Sequence, residues 1–251
     1  MTNDQKNLLI ITSTVFVNSN LTVLTDPEIR KKQYIDSILF YLNTEMIDSL
    51  IICDNSDFDY STIPSIQSLA LEKGKDVEFL YFKGASELIF KLGKGYGEGE
   101  IMSHVFENSQ LLQQFTHFFK VTGRVKVDNV DAILRQVKPA SNHFQQIRLN
   151  PFLKVKLRDS RFYRCSKEVF STYLINAHQL VNDSGGYYLE HAYTNALKDN
   201  GVPFRNFPVL PRFQGISGSH GGSLAQGNFA YKVKALINVV QEKYHSFTSK
   251  K

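Results

Sequence analysis

The stretch GKGYGEGE, Gly93 to Glu100, puts four glycines and two glutamates into eight residues, between an apolar run and a segment of helical spacing. Alternate glycines, Gly95 and Gly97 among them, allow close approach of a backbone to a ligand, and the adjoining helix start offers free N–H groups at a positive dipole end. The motif matches neither GxxxxGK[ST] nor GxGxxG, which weakens a phosphate-loop reading. Glu98 and Glu100 read either as first-turn helix carboxylates, favourable by roughly 0.3–1 kcal/mol, or as groups for ligand hydroxyls and proton transfer. The conformational entropy lost by ordering so many glycines favours the second reading.

Further along, FFKVTGRVKVD alternates: Phe119, Val121, Val125 and Val127 on one side, Lys120, Thr122, Arg124 and Lys126 on the other. Lys120 and Arg124 suit an oxygen-rich anion such as a diphosphate, and Gly123 between them lets a ligand or another backbone come close. For Lys126 the solvated face of an edge strand is the better reading. Asp54, closing SLIICDNSDFD, stands where a nucleotide-binding α/β sheet commonly carries an acid for a ribose, although an Asx turn accounts for it equally well. Glu190 and His191 follow Gly185-Gly186 at a helix start, where a carboxylate or imidazole can act as a general base; ordinary helix surface is the plainer alternative.

These residues need a scaffold, and the chain supplies one by alternating period. LLIITSTVFV, SLIICD and VEFLYF read as strands, with helices from about Pro27 to Leu42 and Ile63 to Lys73 between them. That alternation predicts an α/β fold with a mixed, mostly parallel sheet flanked by helices, and places ligands beyond the strands' carboxyl ends. Those ends are Thr12-Ser13-Thr14, Asp54-Asn55-Ser56 and Phe82-Lys83-Gly84. Later, LKVKL is a candidate strand, and RFYRCSKEVFSTYLINAHQL runs from strand into helix. GGYYLEHAYTNALKDNG is a helix stopped by Asn200-Gly201. VPFRNFPVLPRFQGISGSHGGS, with Ser219 and His220, is a long functional loop, and the tail from Asn228 is an amphipathic helix with a basic tip.

Across 251 residues the 42% hydrophobic content supports a buried core, and the +5 formal charge suggests an anionic partner without choosing one. Cys53 and Cys165 lack companions at metal spacing and read as buried thiols in a reducing cytoplasm. The start lacks the basic flank and length of a signal peptide or membrane span, so cytoplasmic residence is expected and the sequons at Asn20 and Asn182 carry little weight.

In their joint order, IITSTV, QYIDSILFY, IICDNSDFD, GKGYGEGEI, FFKVTGRV, DSRFY, GYYLEHAY and GISGSHGG resemble the bacterial glycosyltransferases of GT-A type fold that build capsules and lipopolysaccharide. The resemblance covers roughly Leu8 to Gly222 and implies one catalytic domain over 1–251. Residues 1–135 would bind a nucleotide-sugar donor, 136–228 would form the acceptor and catalytic half, and 229–251 a C-terminal helix. It implies Thr12, Ser13 and Asp54 near the nucleoside, with Thr14, Asn55, Gly95, Gly97, Lys120, Thr122, Gly123 and Arg124 completing the donor site. Where that fold usually carries a metal-binding Asp-x-Asp, this chain has Lys120-Val-Thr-Gly-Arg124. Cationic side chains can neutralise a leaving diphosphate instead, so no metal site is expected, with Mg or Mn at Asp128 and Asp131 a secondary expectation. Glu190 is the implied base, with Glu98 or Glu100 as its rival, and Ser219 and His220 would lie in a loop closing over a saccharide or lipid-linked saccharide acceptor. The basic tail helix is a candidate for peripheral contact with an anionic membrane.

Two other classes compete. One is a non-catalytic nucleotide- or RNA-binding protein, though without an RNP, KH or helix-turn-helix signature no nucleic-acid partner is expected. The other is a sugar-phosphate nucleotidyltransferase, whose usual glycine-rich, Lys- and Arg-bearing signature near the first strand is missing.

Overall fold

Apolar hexapeptides form the strands that carry the site. The computed structural model describes residues 6–17, 23–149, 156–216, 222–225 and 227–248. In chain order the first half comprises β1 (Leu8–Ser13), α1 (Pro27–Leu42), β2 (Ser49–Asp54), α2 (Pro64–Lys73), β3 (Asp76–Tyr81), α3 (Ser86–Leu92), α4 (Lys94–Asn108) and β4 (His117–Thr122). The second comprises β5 (Lys126–Val127), α5 (Val130–Leu134), β6 (His143–Gln146), β7 (Arg158–Ser166), α6 (Lys167–Val169), α7 (Leu189–Asp199), β8 (Phe213–Gln214) and α8 (Asn228–Thr248).

Six strands form one sheet in the order β3-β2-β1-β4-β7-β6, drawing on both the 1–135 and 136–228 segments. The β3-β2-β1-β4 pairs are parallel, and β7 runs antiparallel to both β4 and β6. β1 and β2 are buried along their whole length, as central strands covered on both faces must be. Leu8 and Ile10 join a core with Met102, Val105, Tyr193 and Leu197 from α4 and α7, while Leu9 and Ile11 join one with Tyr34, Ile38 and Ile66 from α1 and α2. The chain is therefore an α/β, Rossmann-like protein with a mixed, mostly parallel sheet between helical layers.

Helix boundaries follow local chemistry. Asp26 caps α1 by accepting the N–H groups of Glu28 and Ile29, with Pro27 in the first turn. α2 stops at Gly74, whose φ of 61° is the left-handed conformation that glycine tolerates.

Two expectations need correction. FFKVTGRVKVD is two strands, not one. Gly123 N–H bonds Thr12 O and Val125 N–H bonds Thr122 O, turning the chain at Arg124 so that β5 pairs with β8 in a separate two-stranded ribbon. β4 lies between β1 and β7, so its Lys120 face is no solvated edge. Likewise, GKGYGEGE does not precede a helix, because α4 begins at Lys94 and contains Gly95, Gly97 and Gly99. Of LKVKL only Lys156 and Leu157 are described, outside any strand. Asn20, Ser219 and His220 lie outside the described residues. Among the described residues no helix is long and apolar enough to cross a membrane.

Candidate functional site

A cleft opens at the carboxyl ends of β1 and β4. It is lined by Thr12, Ser13 and Thr14, by Thr122 and Arg124, by Arg30 and Tyr34 of α1, and by Lys94, Glu98 and Ile101 of α4. Its floor is fixed by the turn after β2. Asp54, fully buried, accepts hydrogen bonds from Ser13 Oγ at 2.6 Å, Val15 N at 3.1 Å and Ser56 N at 2.7 Å. Asn55 accepts from Thr14 Oγ1 at 2.6 Å and donates to Gly97 O at 3.3 Å. The structure thus engages Asp54 and Asn55 in binding together the loops that follow β1 and β2.

The cations come from separate elements. Arg30, buried on the α1 face, donates from Nε to Thr14 O at 2.9 Å and from Nη1 to Leu24 O at 3.1 Å, holding the loop after β1. Arg124 contacts Gln33 Oε1 at 3.4 Å through Nη1, while its Nε is a buried donor without a partner. Lys94, at the first position of α4, stays exposed at the mouth. Desolvation of its ammonium lowers its pKa against the pull of Asp183 and Glu190, and the Arg124 charge lowers it further. Burial likewise lowers Arg30, and Arg124 contributes to that lowering too. Arg124 therefore repels both other cations, which an incoming anion would relieve.

Beneath this group lies Lys120, 1% exposed on the α4-facing side of β4. Its Nζ donates to Ser160 O at 2.9 Å and Thr122 Oγ1 at 3.1 Å, and it pairs directly with Glu98. Burial brings Lys120 down to about 7, opposed by the carboxylates of Glu190 and Asp159. Thr122 Oγ1 donates to Glu98 at 2.9 Å, and Ser160 Oγ donates to Glu190 at 2.8 Å. Glu98, Lys120, Ser160 and Glu190 therefore form one connected polar group behind the cleft. Asp159, next to Ser160, is paired with Arg161.

The two glutamates of GKGYGEGE part company, because residues two apart on a helix do not share a face. Glu98 turns to the cleft. Glu100 turns to the end of β3, accepting Ala85 N–H at 2.9 Å, and its Oε2 is buried without a partner. Neither is a first-turn carboxylate, since α4 starts at Lys94. The glycines of the motif pack closely against other protein elements. A Cβ at Gly99 would sit 2.0 Å from His178 Cβ, and one at Gly97 would sit 3.1 Å from Asn55 Nδ2. Gly95 packs under Asp183, which accepts its N–H at 3.1 Å. At Gly123 a Cβ would lie 2.5 Å from Thr12 O, so of the two alternatives it is another backbone that approaches.

His191 is committed to its own helix start. Its Nδ1 accepts Tyr188 N–H at 3.1 Å in a capping box, and the ring stacks on Tyr187. Asp131 accepts the N–H groups of Glu45 and Met46, and Asp128 accepts from Gln214. Among the described residues no group of three His, Cys, Asp or Glu comes together to hold a metal ion. Sequence reasoning missed Arg30, Lys94, Ser160 and Asp183. Only Arg30 left a trace, as a cation four residues before Tyr34 on the buried stripe of α1.

No family model matches the chain, and no curated protein matches it. Among solved structures, CMP:2-keto-3-deoxy-manno-octonic acid synthetase complexed with CTP matches over 94% of this chain and 99% of that one, at 13% identity and a TM-score of 0.41. The expected membership among capsule and lipopolysaccharide glycosyltransferases, with its glycosyl-transfer activity and GT-A assignment, is corrected by this outcome. No family model and no curated protein supports it, and the solved structure named is a synthetase by its title. A likeness this distant assigns no substrate and no residue role to this chain.

Proposed function

We propose that the chain is a nucleotide-binding transferase of the nucleotidyltransferase class, taking a nucleoside triphosphate in the cleft and passing its nucleotidyl group to a sugar-type hydroxyl. One observation supports this above the rest: Lys94 and Arg124 converge on the carboxyl edge of β1 and β4, above the buried Lys120 and its partner Glu98. In this reading Arg124, through its unpartnered Nε, and Lys94 hold the β- and γ-phosphates. Thr12, Ser13 and Thr14 border the nucleoside end.

The acceptor oxygen attacks the α-phosphorus, the bond to the bridging oxygen breaks, and pyrophosphate leaves with that electron pair. Cations fixed beforehand around the departing charge stabilise it without reorganising. The acceptor's proton passes to a carboxylate, Glu98 in the cleft or Glu190 behind it. Lys120 holds Glu98 in place by direct pairing.

Pyrophosphate release measures the reaction itself. The full chain is incubated in magnesium buffer with CTP, UTP, ATP or GTP, each with a panel of sugar acids and sugar phosphates. Release that needs both nucleotide and acceptor, and is lost in Glu98→Gln, is the expected result. Nucleotide binding without release under any pairing would replace this reading with that of a non-catalytic nucleotide-binding protein.

A further inference from the structure

α8 is mounted with its polar side inward. Tyr231 Oη donates to Leu210 O at 2.8 Å, Asn238 is fully buried and donates to Phe207 O at 2.8 Å, and Glu242 accepts Asn206 N–H at 3.0 Å. Gln145 Nε2 also reaches Asn238 Oδ1 at 2.9 Å. These positions recur at helical spacing, so the opposite face is turned outward. That face carries Phe229, Val233, Leu236 and Val240, exposed by 82%, 44%, 67% and 59%. An ordinary surface helix is arranged the other way round.

Two observations decide what covers this row. The first is charge. The only acid of α8 in the sequence is Glu242, which points inward, whereas the exposed Lys232 lies three residues after Phe229 and four before Leu236, beside the row. The outer face is thus apolar and cationic, complementary to an anionic surface and repelling a second copy of itself. The second is area. A single row of this kind supplies on the order of 400 Å² of apolar surface, about half of the ~800 Å² per partner that a stable dimer buries. A lipid surface needs no matching shape and takes one helix face alone.

We propose that the outer face of α8 docks on an anionic lipid surface, with Phe229 and Leu236 entering the headgroup boundary and Lys232 meeting the lipid charge. The inference is independent of the chemistry in the cleft. The test is flotation of the full chain with phosphatidylcholine vesicles, with and without phosphatidylglycerol, together with light scattering for oligomeric state. The variants are Phe229→Ser/Leu236→Ser and Lys232→Glu, all exposed positions whose folding circular dichroism verifies. The expected result is flotation only with phosphatidylglycerol present, weakened by salt and reduced about ten-fold in each variant. No flotation, equal flotation with uncharged vesicles, or a dimer that the apolar variant turns into monomer overturns the proposal.

Discussion

Lys120 is the residue on which pH acts most directly. Its ammonium is fully buried between β4 and α4, and burial draws it down to about 7, well below the unfolded lysine value of 10.5. Between those values the unfolded chain binds the proton that the folded chain has lost, so stability rises with pH across that window. The penalty of burying the Lys120 charge is absent above 10.5 and reaches its full size as pH falls through about 7. Urea midpoints at pH 7 and pH 9, compared with those of Lys120→Met, are expected to show this rise only in the parent chain. An unchanged pH dependence in Lys120→Met would remove Lys120 as its source. Much of this was hidden in the sequence. The alternation of FFKVTGRVKV put Lys120 and Thr122 on one face, but nothing in it said that α4 covers that face or that Glu98 would be the partner.

At the scale of elements, α4 shows what local reading sees and what it misses. Four glycines in GKGYGEGE signalled close approach, and the approach is real, but it is between helix and protein. The neighbour that explains Gly99 is His178, and the one that explains Gly95 is Asp183, both some eighty residues further along the chain. Gly99→Ala drives a methyl group into the Cβ of His178, a position near rigid backbone. Overpacking of this kind costs ~1–3 kcal/mol, only partly offset by alanine's ~1 kcal/mol better helix propensity. A calorimetric scan is expected to place Gly99→Ala below Gly97→Ala, where the nearest contact of 3.1 Å is to the end of a side chain. Equal melting temperatures would show that His178 moves aside freely. Strand and helix positions, by contrast, were legible: α1 and β2 fall where the apolar period puts them.

For the whole molecule, the parallel core was readable because β1, β2 and β3 are consecutive units whose pattern repeats along the chain. The second half was harder: β7 enters antiparallel between β4 and β6, an order that no local signal encodes. The cleft illustrates the same limit. Thr12, Ser13, Thr14, Glu98, Thr122 and Arg124 were marked from strand ends and motifs, and the structure brings them to one opening. Arg30 and Lys94 join them only through the packing of α1 and α4 on the sheet. The central claim is that this opening is built for a nucleoside triphosphate, and isothermal titration of CTP, UTP, ATP and GTP into the full chain and into Arg124→Ala measures it. Saturable binding of at least one triphosphate, weakened about ten-fold in Arg124→Ala, is the predicted result, in line with the ~1.5–3 kcal/mol of a charge-assisted hydrogen bond; no binding of any of them, or equal affinity in the two chains, would contradict it.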